Sequence, residues 1–269
     1  MTFEVLIPVR NATEVFAKTV ASLSTQTDKN FSVLVSDNFS TTGREHLEVA
    51  LSQLSAAGIS ARRIQPPAEL GRVEHWNWLH YQSQADWLKP LFAGDWLESD
   101  YVERVRQAAA SDPRCAYVYT GYQYHRGTET TTTLSKWAGR FFTPQEMQEV
   151  VLRYAMQFGP PSAAAYSRTA FFGLGGYAAE LPITADSFLF CTLAARFGAF
   201  GVPKALCHFN IHPNRFSITL PDQRANTHRE TLTYIFTLAY HAWTEKDNFP
   251  VTGFLRLLAR EYKGRFLRQ

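Results

Sequence analysis

Apolar and polar positions switch between two periods along the first hundred residues. Phe3-Glu4-Val5-Leu6-Ile7 is a short apolar run that predicts a strand stopped by Pro8, and Val15, Phe16, Val20 and Leu23 then recur at helical spacing. The alternation returns with Phe31-Ser32-Val33-Leu34-Val35, a polar turn through Thr42-Gly43, a helix around Leu47 to Leu54 and a third strand near Ile59 to Ile64. Val73, Trp76 and Leu79 mark a further helix, and Trp87-Leu88-Lys89-Pro90-Leu91-Phe92 reads as a buried strand. Strands alternating with amphipathic helices predict an α/β fold: a mostly parallel central sheet, right-handed crossovers and helices on both faces.

Past Asp100 the order is less regular. A helix through Val102 and Val105 precedes a strand at Ala116-Tyr117-Val118-Tyr119 and a threonine-rich stretch from Thr128 to Thr133. Thr143-Pro144-Gln145-Glu146 has the form of a capping box with proline at the first helical position, which predicts a helix from Pro144 to about Met156. Gly159-Pro160-Pro161 ends it. No repeat, linker or shift in composition divides the chain.

With 269 residues, 45% of them apolar, the chain can bury a full core. Charged residues make up 19% and the net charge is +3, a balance that favours neither disorder nor a broad nucleic-acid-binding surface. Cys115, Cys191 and Cys207 are odd in number and lack CxxC spacing, which argues against a disulfide framework or a structural zinc site and for a reducing, cytoplasmic setting. The N-terminus has no basic leader, and no apolar run approaches the roughly 20 residues that span a bilayer, so any membrane contact is expected to be peripheral.

Candidate chemistry begins at Gly94-Asp95-Trp96-Leu97-Glu98, directly after the last predicted strand of the alternating half. In an open α/β sheet, ligands bind in the crevice beyond the strand carboxyl ends, so Asp95 is expected to face a site. Several other segments fall in order along the chain. Val5-Leu6-Ile7-Pro8-Val9-Arg10-Asn11 ends the first strand, Ser22-Leu23 and Gln26 close the first helix, and Val35-Ser36-Asp37-Asn38-Phe39-Ser40-Thr41 follows the second strand. Gly71-Arg72 and Trp76-Asn77 open the third helix, Gly173-Leu174-Gly175-Gly176-Tyr177 precedes Ala185-Asp186, and His212-Pro213 comes late with Ser217. This series, from about residue 3 to 217, resembles the inverting family-2 glycosyltransferases of the GT-A fold, which transfer sugars from nucleotide diphosphates.

The resemblance implies roles. Pro8, Val9, Arg10, Asn11, Asp37, Arg72, Asn77 and Gly94 would contact the donor, Asp95 and His212 would hold a divalent cation (Mn or Mg), and Asp186 would be the catalytic base. It also implies a GT-A domain over residues 1–220, with a nucleotide-binding half (1–110) and an acceptor half (111–220), followed by a C-terminal helical segment (221–269). The implied reaction moves a sugar from a UDP- or dTDP-sugar to a glycan or lipid-linked glycan hydroxyl in surface polysaccharide assembly, at the inner face of the cell membrane or free in the cytoplasm.

The chain departs from the family pattern in three places. Phe92, Ala93 and Gly94 stand where a second acid commonly precedes Asp95, Ala185 replaces a frequent glutamate before Asp186, and Asn210 stands where an arginine often precedes the late histidine, leaving Arg215 as a phosphate contact.

The chemistry fits these residue types. Negative charge developing on a leaving phosphate is stabilised by a hard cation held by one or two carboxylates, and an attacking hydroxyl needs a carboxylate to take its proton. Simpler readings compete: Asp95 as a cap of the helix near Asp100, Asp186 as a first-turn acid, Asp37 in an Asx-turn and Arg72 as a solvated helix-start residue. Phe254, Leu258, Tyr262 and Phe266 share one face of a C-terminal helical stretch with Arg256, Arg260 and Lys263 opposite, which suits packing on the domain or contact with an anionic membrane. Gly173 to Ala178 formally fits GxGxxA, but it comes late and does not follow the first strand, so a nicotinamide site is not expected. The alternative function is a GT-A-like sugar-nucleotide binder or assembly protein that has lost turnover.

Overall fold

The structure, a computed structural model, describes residues 1–154, 158–211 and 223–244. The alternating half folds as β1 (Phe3–Val9), α1 (Phe16–Ser24), β2 (Ser32–Asp37), α2 (Arg44–Ala56), β3 (Ser60–Ile64), α3 (Arg72–Tyr81) and β4 (Trp87–Pro90). After a two-residue β5 (Trp96–Leu97) come α4 (Tyr101–Ala110), the long β6 (Tyr117–Arg126), β7 (Glu129–Thr133), β8 (Phe141–Phe142) and α5 (Pro144–Tyr154). A single 3-10 turn at Pro161–Ala163 leads into β9 (Ala164–Ser167), α6 (Arg168–Gly173), α7 (Ala185–Phe197), β10 (Ala199–Asn210) and α8 (Gln223–Thr244).

All ten strands belong to one sheet, ordered β3-β2-β1-β4-β9-β6-β10-β5, with β7 on β6 and β8 on β10. Along that path β9 and β5 run against the other six, which are parallel in direction. Strand alternation divides the core into two layers. Val5, Ile7, Val33 and Val35 face α1, α2 and α4, whereas Leu6, Leu34 and Leu88 face α3, α5, α6 and α7. The predicted α/β architecture, with helices on both faces, is therefore present.

The capping box also forms: the Thr143 N–H and hydroxyl donate to Glu146 at 2.8 and 3.0 Å, and the Glu146 N–H reaches back to Thr143 Oγ1 at 3.3 Å. The helix it opens is described to Tyr154, because residues 155–157 lie outside the described set.

One local expectation needs correction, and other segments were not assigned beforehand. Pro8 does not stop β1, because the β4 side of the ladder ends at Leu6 opposite Pro90 and no bond is lost where proline lacks its N–H. The threonine-rich stretch is a strand, since β-branched residues suit the exposed hairpin that β7 makes with β6. β9 and β10 carry no clear strand signal: β9 begins Ala-Ala, and β10 contains Gly201 and Pro203, the latter at a register shift between Val202 and Ala205. Both are stabilised as strands by burial between neighbours.

Candidate active site

The carboxyl ends of β1, β2 and β4 meet along one edge of the sheet, and the loops leaving them are tied together by asparagines. Asn11, at φ 54°, accepts the Thr41 N–H at 2.9 Å and the Thr42 N–H at 3.3 Å, joining the loop after β1 to the loop after β2. Buried Asn38 exchanges two hydrogen bonds with the backbone of Leu70, at 2.8 and 3.0 Å, and so holds the approach to α3. Asn77 does the same with Tyr177 at 2.8 Å in both directions. Its amide clamps α3 to the loop before α7. Gly176 makes that clamp possible: its φ is +84°, and a Cβ there would lie 2.6 Å from Asn77 Oδ1. Asn11 is likewise a loop tie, and Asn38 went unremarked in the sequence because Asx residues after a strand suit any turn.

Other candidates occupy the same edge. Pro8 and Val9 register with Ser36 and Asp37, and half-exposed Arg10 pairs with Glu69 at 2.6 Å. Asp37 is buried, accepts the Ser40 N–H at 2.9 Å and pairs with Arg63 at 2.5 Å. Burial alone would raise its pKa, but the Ser40 hydrogen bonds and the Arg63 charge outweigh it and hold the carboxyl below its ordinary value. Asp37 thus braces the loop after β2 against β3. The neighbouring His75 donates to or accepts from Ser36 Oγ at 2.7 Å, and burial lowers its pKa to about 4.

Arg72 is the first residue of α3, with its guanidinium 4.5 Å from the Trp76 ring. Trp76 in turn touches Phe92, at 4.8 Å between ring centres, and Tyr177 at 5.4 Å. Asp186, the second residue of α7, lies partly buried within electrostatic reach of Arg72. Burial raises the Asp186 pKa, opposed by the Ser187 N–H at 2.8 Å and by the Arg72 charge. A carboxylate raised in this way is a better proton acceptor.

The first turn of α7 is capped from a distance. Glu230 of α8, itself buried, accepts the N–H groups of Ile183 and Thr184 at 2.9 and 2.8 Å and the Thr184 hydroxyl at 3.0 Å. No sequence signal marks this residue, because the partner lies 46 positions away and a lone glutamate in an amphipathic helix reads as surface.

Asp95 sits past Gly94, whose φ is +98°. Its side chain is wholly buried and accepts Ser162 Oγ at 2.6 Å and the Asn210 N–H at 3.2 Å. The Asn210 contact is made by backbone. Among the described residues no group of three His, Cys, Asp or Glu side chains is arranged to hold a metal. His212, the expected second ligand, lies outside the described residues together with Arg215, Ser217 and the basic face between 254 and 267. One oxygen-donor acid at a strand end fits a hard cation completed by phosphate oxygens, not a cage built by protein alone.

A profile of the family described as "Glycosyl transferase family 2" matches residues 4–173, more than half of the sequence. The chain belongs to glycosyl transferase family 2. In an open sheet of this kind ligands bind in the crevice beyond the strand carboxyl ends, the edge on which the candidate residues lie.

Solved structures share the fold at low identity. TarS 1-349 of S. aureus in complex with UDP is 14% identical, with TM-score 0.66 over 89% of this chain and 65% of that one. The same S. aureus protein with UDP-GlcNAc is 12% identical, with TM-score 0.64 over 98% and 81%. The mannosyltransferase PcManGT of Pyrobaculum calidifontis, in complex with GDP-Man and Mn2+, is 15% identical, with TM-score 0.59 over 96% and 79%. The family-2 chain described here spans 44% of a longer TarS chain. A search of curated protein sequences returns no match. Among the described residues no helix is long and apolar enough to cross a membrane.

Proposed function

We propose that this glycosyltransferase moves a sugar from a nucleotide diphosphate donor to a glycan or lipid-linked glycan hydroxyl with inversion at the anomeric carbon. The observation that carries the reading is the approach of Arg72 to Asp186: a cation at the start of one helix within electrostatic reach of a partly buried carboxylate at the start of another. UDP, UDP-GlcNAc and GDP-Man in the related structures support a nucleotide diphosphate donor.

In this mechanism Asp186 accepts the proton of the acceptor hydroxyl as its oxygen attacks the anomeric carbon opposite the leaving phosphate. Arg72 faces the donor phosphates, to which guanidinium geometry is suited, and keeps Asp186 ionised between turnovers. Pro8, Val9, Arg10 and Gly94 line the crevice with backbone and small side chains, with Asp37 and Asn11 fixing its loops. Asp95, with His212, would hold a divalent cation, which when bound stabilises charge on the leaving diphosphate. The acceptor meets the less regular half around residues 121–137. The basic face at 254–267 brings the enzyme to an anionic, cytoplasmic membrane surface where lipid-linked acceptors for surface polysaccharide lie.

The test is donor hydrolysis and transfer measured over UDP-, dTDP- and GDP-sugars with and without manganese, in the wild type and in Asp186→Asn. A base in direct contact with the reacting hydroxyl contributes on the order of 10²–10⁴ in rate, so Asp186→Asn should lose that much while retaining donor affinity. Equal rates in the two proteins would overturn the assignment. Donor binding without turnover in the wild type would favour the alternative, a sugar-nucleotide binding or assembly protein.

A further inference from the structure

Beneath Asp95, β4 carries a lysine at a position where its alternation calls for a core residue. Trp87 and Leu91 face the same layer as Lys89, and the Lys89 side chain has no exposure to solvent. Its Nζ lies 4.8 Å from the centre of the Tyr101 ring and donates to the carbonyls of Pro90 at 2.6 Å and Ser162 at 2.5 Å. Ser162 is a joint: its carbonyl takes the lysine, while its hydroxyl accepts the Phe92 N–H at 3.2 Å and donates to Asp95 Oδ2 at 2.6 Å. Lys89, Ser162 and Asp95 are all wholly buried, and one serine links the lysine to the acid.

A buried lysine is a costly choice for this core position. Taking an ammonium out of water costs several kcal/mol even after relaxation, and an apolar side chain of similar length commonly serves a core as well or better. Burial accordingly pushes the Lys89 pKa down to about 7, against the attraction of Cys207 and Asp95. A costly internal charge beside a strand-end carboxylate points to the ligand above it.

We infer that Lys89 is a positioning residue for the donor site: through Ser162 it fixes the orientation of the Asp95 carboxylate, and its charge balances that acid in the closed interior. The inference rests on the donor reading above. With Ala93 and Gly94 in place of a further acid, the aim of one carboxylate determines how well a diphosphate and its cation are received.

The experiment combines calorimetric titration of UDP, dTDP and GDP, each with manganese, and thermal unfolding of five proteins. These are the wild type, Lys89→Met, Ser162→Ala, Asp95→Asn and the double variant Lys89→Met/Asp95→Asn. Lys89→Met should bind nucleotide at least tenfold more weakly and, by leaving the buried Asp95 without its cation, should lower Tm as well. Ser162→Ala, which keeps the carbonyl contact to Lys89 but removes the hydroxyl link to Asp95, should lose affinity to a similar extent. Asp95→Asn should lower Tm, and Lys89→Met should restore most of that loss in the double variant, because a buried cation no longer lacks its acid.

Unchanged affinity in Lys89→Met, or Tm losses that add in the double variant, would overturn the inference. A wild type that binds none of the three nucleotides overturns the donor reading instead. In that event the unfolding data still decide the pair: rescue in the double variant supports it, and additive losses overturn it.

Discussion

The β3-β2-β1 side of the sheet and the β9-β6-β10 side are built by different rules. On the first side strands adjacent in sequence are adjacent in space, so each ladder closes over one helix and its loops. On the second side β9 inserts between β4 and β6, and β10 returns parallel to β6 from more than 70 residues away. The donor-side loops are consequently braced by neighbours such as Asn11 on Thr41, whereas the two candidate catalytic acids take their supports from afar. Asp95 is held by Ser162 and Asn210, and the helix of Asp186 is capped by Glu230. The loops of the first side are braced locally, whereas the supports of Asp95 and of the Asp186 helix exist only in the complete fold.

The largest expected effect tests whether the two sides unfold as one unit. His75 on the donor side and His80, which bonds Tyr166 of β9 at 2.8 Å, both have pKa values lowered to about 4 by burial. Histidine in an unfolded chain titrates near 6.5, so between these values the unfolded chain binds protons that the fold refuses. Stability is intact above pH 6.5 and should decline as pH falls toward 4, by at most about 1.4 kcal/mol per pH unit for each ring. Denaturant unfolding followed at several pH values should show one transition moving throughout. Two separating transitions would mean that the sides are independent.

Removing the long-range cap comes next. Glu230→Ala leaves two backbone donors and a hydroxyl without their acceptor, and should cost about 2 kcal/mol in chemical denaturation. It should also lower kcat more than donor affinity, since Asp186 rides on that helix; a loss confined to donor affinity would show that α8 does not position the base.

Gly176→Ala should cost about 1–2 kcal/mol, because the new Cβ must adopt a left-handed conformation against Asn77. Asn77→Ala should cost a similar amount by releasing the same loop, and the double variant should lose less than the sum. Full additivity in thermal denaturation would mean that the two residues act separately. The smallest effect is expected on the local side, where Asn11→Ala removes three solvent-exposed loop bonds and should cost under about 1 kcal/mol, with only a modest change in nucleotide affinity.

What could be read beforehand follows the same division. β1 to β4, α1 to α4 and the Thr143–Glu146 cap announce themselves by local period and turn chemistry, and they stand where the pattern put them. Asp95 and Asp186 were legible as a turn acid after a strand and an acid at a helix start, and they occupy those positions. Asn77 was legible as a site residue but not as a clamp, because its partner is the peptide of Tyr177, exactly one hundred positions on. Glu230, Ser162 and Lys89 carried no local signal at all: an isolated acid, a serine after two prolines and a lysine in an apolar run have meaning only through what surrounds them.

By itself, the sequence determined the periods, hence the parallel half-sheet, its flanking helices and the family to which the chain belongs, since these depend on side chains a few residues apart. Which strands pair out of order, which carboxylates are capped and which lysine is sealed under the site were decided by tertiary structure. Burial and long-range hydrogen bonds set those outcomes, and neither is a property of any short stretch of chain.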